Sequence, residues 1–300
     1  MYNREINKEI LDYTLSIMED GFHSTHNKKV KLKLSKEQMK EVKVLLPNEV
    51  DEICNKTDVK SEISSEKCVF GCQNKDSFAL AKSVYDKYKS DLTNENSKNI
   101  LVLNLASPVN PGGGVRKGAT AQEEDLCRKS SLLLSLESDK AKKYYNYNRS
   151  YRNKHDTYMD TDAMMFTPEV EVIKVQEGYF LDETFIVSVL TCAAPSIRKG
   201  KEGMTESEYR SLVYNRIVKM LKCSAYFGYK YLVLGAWGCG AFGNDARVIS
   251  DLFFKALNEL EYCHITTKDL FRRVDFAVLD RTHNQYNYKE FKRNFGESNL

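Results

Sequence analysis

The sequence predicts an α/β fold in which a sheet is covered by helices on both faces. Two observations carry this prediction. Apolar, β-type runs at Leu101 to Leu105, Thr184 to Leu190, Tyr231 to Leu234 and Val274 to Leu279 alternate with segments of helical period. Two of those runs lead into glycine-bearing loops and then into a helix, through Gly112, Gly113 and Gly114 in one case and Gly238 to Gly243 in the other. At 300 residues the chain can bury a large core as one domain or two.

Composition excludes several classes. The net charge of +3 is too small for the whole-molecule field to attract nucleic acid or membrane, so any polyanion must be bound locally. No stretch approaches transmembrane length, and the first ten residues mix acids with polar residues, unlike a signal peptide. Eight cysteines without a secretory signal are expected to be reduced. Cys68 and Cys72 are spaced wrongly for a zinc knuckle, and His23 and His26 read as a polar loop, so no metal is expected.

In chain order, residues 2 to about 20 have helical spacing of Ile6, Ile10, Tyr13, Ile17 and Met18, closed by Gly21. Val30 to Leu34 alternates as a half-buried strand does, and the stretch to about residue 65 is rich in Lys and Glu without nameable chemistry. A short strand from Lys67 ends at Asp76 and Ser77, where Asp76 is placed to cap the helix carrying Phe78, Ala81 and Val84. The helix opening at Gln122 is expected to continue through Leu133 and Leu136. Residues 142 to 161, rich in Tyr, Asn, Arg and Lys, read as an exposed polar loop, although interleaved basic and aromatic residues also suit nucleotide stacking. Val170 to Val175 is a strand, Glu206 to Phe227 and Ala246 to Glu261 are helices, and Tyr286 to Phe295 is a terminal helix.

Gly238 to Gly243 satisfies G-x-G-x-x-G, yet only one strand follows it, which argues against a dinucleotide-binding domain. The first loop lacks the Lys-Ser/Thr of a P-loop. What the two loops share is bare backbone amides ahead of a helix N-terminus, a cradle for phosphate. Two such loops fit a diphosphate. A diphosphate between two riboses would put a sugar near Glu123 and Glu124, and hydrolysis of a sugar bond needs a carboxylic acid. Neighbours on a helix point about 100° apart, so one glutamate can bind a hydroxyl while the other delivers a proton.

Gly112 to Gly114, seven residues, then Gln122-Glu123-Glu124 resembles the motif of poly(ADP-ribose) glycohydrolases, and Gln122 to Ser130 resembles the microbial type. Agreement extends through Asn74 to Phe78, Leu103 to Pro108, Thr167 to Val170, Leu234 to Asn244 and Phe276 to Asp280, so it covers nearly the whole chain. The resemblance implies a macrodomain-like three-layer α/β/α sandwich with a mixed sheet at residues 66–300 and an accessory segment at 1–65 packed on it. It implies hydrolysis of ribose–ribose O-glycosidic bonds in poly(ADP-ribose), from the chain end, releasing ADP-ribose. Glu124 would be the catalytic acid and Glu123 would hold a ribose hydroxyl. Asp76 would receive the adenine amino group, Asn104 and Asn110 would contact the riboses, Gly112, Gly113 and Gly114 would approach the distal ribose and phosphate, and Ser77 and Gln122 would also bind substrate. Gly238, Cys239, Gly240, Ala241 and Gly243 would form the second diphosphate loop, with Phe242 over the terminal ribose.

The resemblance further implies no cofactor, poly(ADP-ribose) or ADP-ribosylated proteins as substrate partners, and a monomer without membrane, intracellular and soluble (cytoplasmic, or nuclear in a eukaryote). Animal-type enzymes carry Asn where this chain has Ser107. A macrodomain that binds ADP-ribose without cutting it, and a mono-ADP-ribosyl hydrolase, are the alternative functions.

Overall fold

The computed structural model describes residues 3–25, 28–57, 67–92, 100–176, 178–259 and 261–300. Helix α1 (Arg4–Asp20) is capped by the Asn3 side chain and closed by Gly21 at φ 75°. The hairpin of β1 (Phe22–Thr25) and β2 (Lys28–Lys31) follows, then β3 (Lys43–Leu45) and α2 (Pro47–Cys54). Next come β4 (Val69–Gln73), α3 (Ser77–Lys87), α4 (Lys89–Leu92), β5 (Leu101–Leu105), α5 (Gln122–Lys129), α6 (Leu132–Leu136) and α7 (Lys142–His155). The second half holds β6 (Met164–Val172), β7 (Phe185–Cys192), α8 (Glu206–Tyr226), β8 (Tyr231–Gly235) and α9 (Ala246–Glu259). A small pair, β9 (Glu261–Tyr262) and β10 (Ile265–Thr266), leads through α10 (Thr267–Leu270) to β11 (Arg273–Ala277) and α11 (Tyr286–Phe295).

Seven strands form one sheet in the order β3-β6-β7-β5-β8-β11-β4. The five from β7 to β4 are mutually parallel, whereas β6 runs antiparallel to both β7 and β3, so the sheet is mixed. Strand alternation puts Leu101, Leu103, Leu232 and Leu234 on one face with residues of α8, α9 and α11. Val102 and Val233 face the other way, against α3, α5, α6 and α7. Both faces are apolar because both are covered. The result is the three-layer sandwich with a mixed sheet.

Four elements depart from the sequence reading. Residues 142–155 form helix α7, not a loop: Tyr144, Tyr145 and Asn148 bury one face, and a stripe of tyrosines does not register as an apolar period. Helix α5 stops at Lys129 because Ser130 turns extended and bridges Val172, and the Ser130 hydroxyl donates to the Leu126 carbonyl at 2.8 Å. The stretch before residue 65 contributes β3 to the edge of the main sheet, and the 65/66 boundary lies outside the described residues. His23 is buried in β1 and stacks on Phe180 with centroids 5.1 Å apart, while His26 lies outside the described residues.

All eight cysteines are free. Among the described residues no helix is long and apolar enough to cross a membrane, and no group of His, Cys, Asp and Glu is arranged to hold a metal ion.

Candidate active site

The carboxyl ends of the parallel strands converge on a cleft of about 510 Å³. This is where an open α/β sheet binds ligands, because neighbouring connections diverge there. The cleft is walled by the turn after β4, the end of β5, the residues before and in α5, the second glycine loop after β8, and the segment after β11.

Asn104 lies two residues beyond Val102, so its side chain points to the α5 side, wholly buried. Its Nδ2 donates to Glu123 Oε1 at 3.2 Å and to Thr191 Oγ1 at 3.2 Å. The Ser107 backbone N–H donates to the other Glu123 oxygen at 2.7 Å. That contact uses the main chain, so it is compatible with Ser where animal-type enzymes carry Asn. Gln122 locks the start of α5 to β5: its Oε1 accepts from Leu105 N at 2.9 Å, and its Nε2 donates to Leu103 O at 2.7 Å and Ser77 Oγ at 3.0 Å.

Glu124 turns the other way. Its Oε1 accepts from Gly114 N at 2.7 Å, while its Oε2 is buried without a hydrogen-bond partner among the described residues. Gly113, at φ 61°, sits between the two carboxyls: a β-carbon there would lie 2.5 Å from Glu124 Oε1 and 2.9 Å from Glu123 Oε2. Burial pushes the Glu123 carboxyl up to about 8, against the lowering pull of the Ser107 and Asn104 hydrogen bonds.

The second glycine loop is held by Asn244, whose Nδ2 donates to Pro195 O at 2.9 Å and Gly238 O at 3.0 Å while its Oδ1 accepts from the Tyr209 hydroxyl. The backbone N–H groups of Gly240, Ala241 and Phe242 donate to no acceptor among the described residues, and all three residues line the cleft. At Gly240 neither a positive φ nor a nearby atom requires glycine. Bare amides at an open turn suit a phosphate. Burial pushes the Cys239 thiol far up, which removes it as a nucleophile at neutral pH.

Of the residues expected from sequence, Asp76, Ser77, Gln122, Gly238, Gly240, Ala241 and Phe242 line the cleft. Glu123, Glu124, Asn104, Asn110, Gly112, Gly113, Gly114, Cys239 and Gly243 are not among the residues that line it. The Gly113 and Gly114 amides donate within the protein, to Asn110 O at 3.0 Å and to Glu124. The triple glycine makes room for the glutamates. Asn110 is exposed, its N–H turned onto Ser107 Oγ at 3.1 Å.

Asp76 does cap α3, accepting from Ala79 N at 2.9 Å, and its second oxygen faces Lys129 at 3.5 Å. Burial raises its carboxyl above the usual range, opposed by Lys129. Sequence reasoning missed Asn7, Lys75, Arg128 and Arg281 in the cleft wall. The three cations were legible as charges near the motifs; Asn7 gave no signal.

Fold and site together define a macrodomain-like glycosidase, with a ligand cleft at strand ends and a pair of buried glutamates beside it. The family described as "Microbial-type PARG, catalytic domain" matches residues 12–175, more than half of the chain. The structure of poly(ADP-ribose) glycohydrolase (PARG) from Thermomonospora curvata is similar over 97% of this chain and 100% of that one, with 26% identity and a TM-score of 0.83. The same enzyme bound to the inhibitor ADP-HPD matches with 25% identity and a TM-score of 0.80 over 96% of this chain and 99% of that one. The Deinococcus radiodurans PARG in complex with ADP-ribose matches at 28% identity and TM-score 0.74, over 88% of this chain and 98% of that one. No curated protein matches the sequence. The chain belongs to the microbial-type poly(ADP-ribose) glycohydrolase family.

Proposed function

We propose that this chain hydrolyses the ribose–ribose O-glycosidic bonds of poly(ADP-ribose) and releases ADP-ribose, with Glu124 as general acid. The observation that carries the role is the asymmetry of its carboxyl: Oε1 is anchored by Gly114 N while Oε2 is buried and unpartnered. A carboxyl held at one oxygen can present a proton from the other. In the reaction, Oε2 delivers its proton to the leaving 2′-oxygen as the glycosidic C–O bond breaks. Water then adds to the oxocarbenium-like carbon and returns a proton to Glu124.

Glu123, oriented by Ser107 N and Asn104, holds a hydroxyl of the reacting ribose. The diphosphate lies on the free amides of Gly240, Ala241 and Phe242, with Lys75 and Arg281 at the cleft to balance its charge. Adenine lies toward Asp76 and Ser77, the riboses toward Asn104 and Asn110, and Gly112 shapes the loop over Glu124. Phe242 closes over the terminal ribose, so units are removed from the chain end. Residues 1–65 form an accessory segment that adds β3 to the sheet of the 66–300 catalytic core, and the enzyme works as an intracellular, soluble monomer on ADP-ribosylated proteins.

The experiment is release of free ADP-ribose from poly(ADP-ribose) by wild type and Glu124→Gln, with EDTA present. Release by wild type alone, with ADP-ribose binding retained in the variant, is expected. Binding without release by either protein would make the chain a reader, and equal release by both would remove Glu124 from the mechanism.

A further inference from the structure

Helix α1 reaches the cleft although it is remote from α5 in sequence. Asn7, Leu11 and Thr14, spaced at i, i+4 and i+7, are buried along one face of it. Asn7 Nδ2 donates to the Gly118 carbonyl at 3.0 Å, and Thr14 Oγ1 donates to the Arg128 carbonyl at 2.7 Å. Gly118, at φ 70°, lets the α1 backbone approach so closely that a β-carbon would lie 2.2 Å from the Arg4 carbonyl oxygen. Arg128 in turn donates to the Ala119 carbonyl at 2.6 Å. Helix α1 therefore fixes both the loop ahead of α5 and the last turn of α5.

The Asn7 amide has one possible orientation. A carbonyl can only accept, so Nδ2 must face Gly118 and Oδ1 must point away from it. That oxygen accepts no hydrogen bond from the described residues, although Asn7 lines the same cleft as Asp76. Asp76 also presents acceptor capacity: one oxygen accepts from Ala79 N, and the other, 3.5 Å from Lys129 Nζ, keeps lone pairs for a ligand. Two acceptors lining one cleft match a ligand group with two hydrogens. An exocyclic amine on a purine is such a group.

We infer that Asn7 is a base-specificity residue: its Oδ1 accepts one hydrogen of the 6-amino group of adenine while Asp76 takes the other, and its Nδ2 positions the loop before α5. The inference rests on the reading that the cleft holds ADP-ribose with its base toward Asp76. A 6-oxo purine would set an acceptor against these two acceptors and be rejected.

The test is calorimetric binding of ADP-ribose and of its 6-oxo counterpart, inosine diphosphate ribose, to wild type, Asn7→Ala and Thr14→Val. Wild type is expected to prefer ADP-ribose. Asn7→Ala should weaken ADP-ribose about tenfold more, the scale of one hydrogen bond, than it weakens the 6-oxo ligand, so the preference shrinks. Thr14→Val loosens the same helix without touching the base and should leave the preference as in wild type. An Asn7→Ala preference equal to that of wild type, whether both affinities fall or neither does, reduces Asn7 to a structural prop and overturns the inference. Equal binding of both ligands by wild type overturns it alone; binding of neither removes the ADP-ribose reading as well.

Discussion

A side chain at Gly113 would occupy the space that the Glu124 carboxyl needs: a β-carbon there would sit 2.5 Å from Oε1. Gly113→Ala must also adopt φ 61°, which costs an L-residue about 1–2 kcal/mol. The variant should lose a little stability and at least about a hundredfold in kcat, because a displaced acid no longer meets the leaving oxygen. Thermal unfolding beside ADP-ribose release checks this. Normal turnover with normal stability would mean that the glutamate has slack.

Glu123 makes stability depend on pH. Its carboxyl is raised from the ordinary 4.5 to about 8 by burial. The folded chain keeps a proton over a range in which the unfolded chain releases it. This group's contribution is therefore fully present below the unfolded value and is lost as pH rises toward the folded one. Denaturant unfolding followed between these two values should show a decline that Glu123→Gln flattens. The same decline in both proteins would assign it elsewhere.

Asn244 holds the second glycine loop through Pro195, Gly238 and Tyr209. Asn244→Ala leaves buried partners unsatisfied, a loss of about 1–3 kcal/mol per group, and frees the loop. Lower Tm and a KM raised more than kcat is lowered are the expected outcomes. A change in kcat alone would place Asn244 in the chemistry instead of the scaffold.

Phe242 lines the cleft on the loop whose amides are free, with its carbonyl fixed by Ile197 N at 2.9 Å. If its ring closes the end of the cleft, Phe242→Ala should admit internal chain positions. Gel analysis of early products would then show fragments longer than ADP-ribose, whereas wild type gives ADP-ribose from the first turnovers. Identical product lengths would relieve Phe242 of that role.

The sequence by itself determined the parts whose cause is local. The glycines at 112, 113, 238 and 243 all take positive φ, which is why those positions read as loops. Alternation of Leu101 to Leu103 and Tyr231 to Leu234 set strands apolar on both faces, and the spacing to Gln122 put two acids at a helix start.

Partnership needed the tertiary structure. The Gly114 amide donates to Glu124, ten residues on, and Asn7 and Asn244 matter only through groups brought to them by folding. Helix α7 and strand β3 were hidden for the same reason: tyrosines and a three-residue edge become apolar surface only against a packed neighbour. Periodicity reports how a residue relates to its own element. Which amide, carbonyl or carboxyl it meets across the fold is set by sheet register and helix packing, which bring remote segments together.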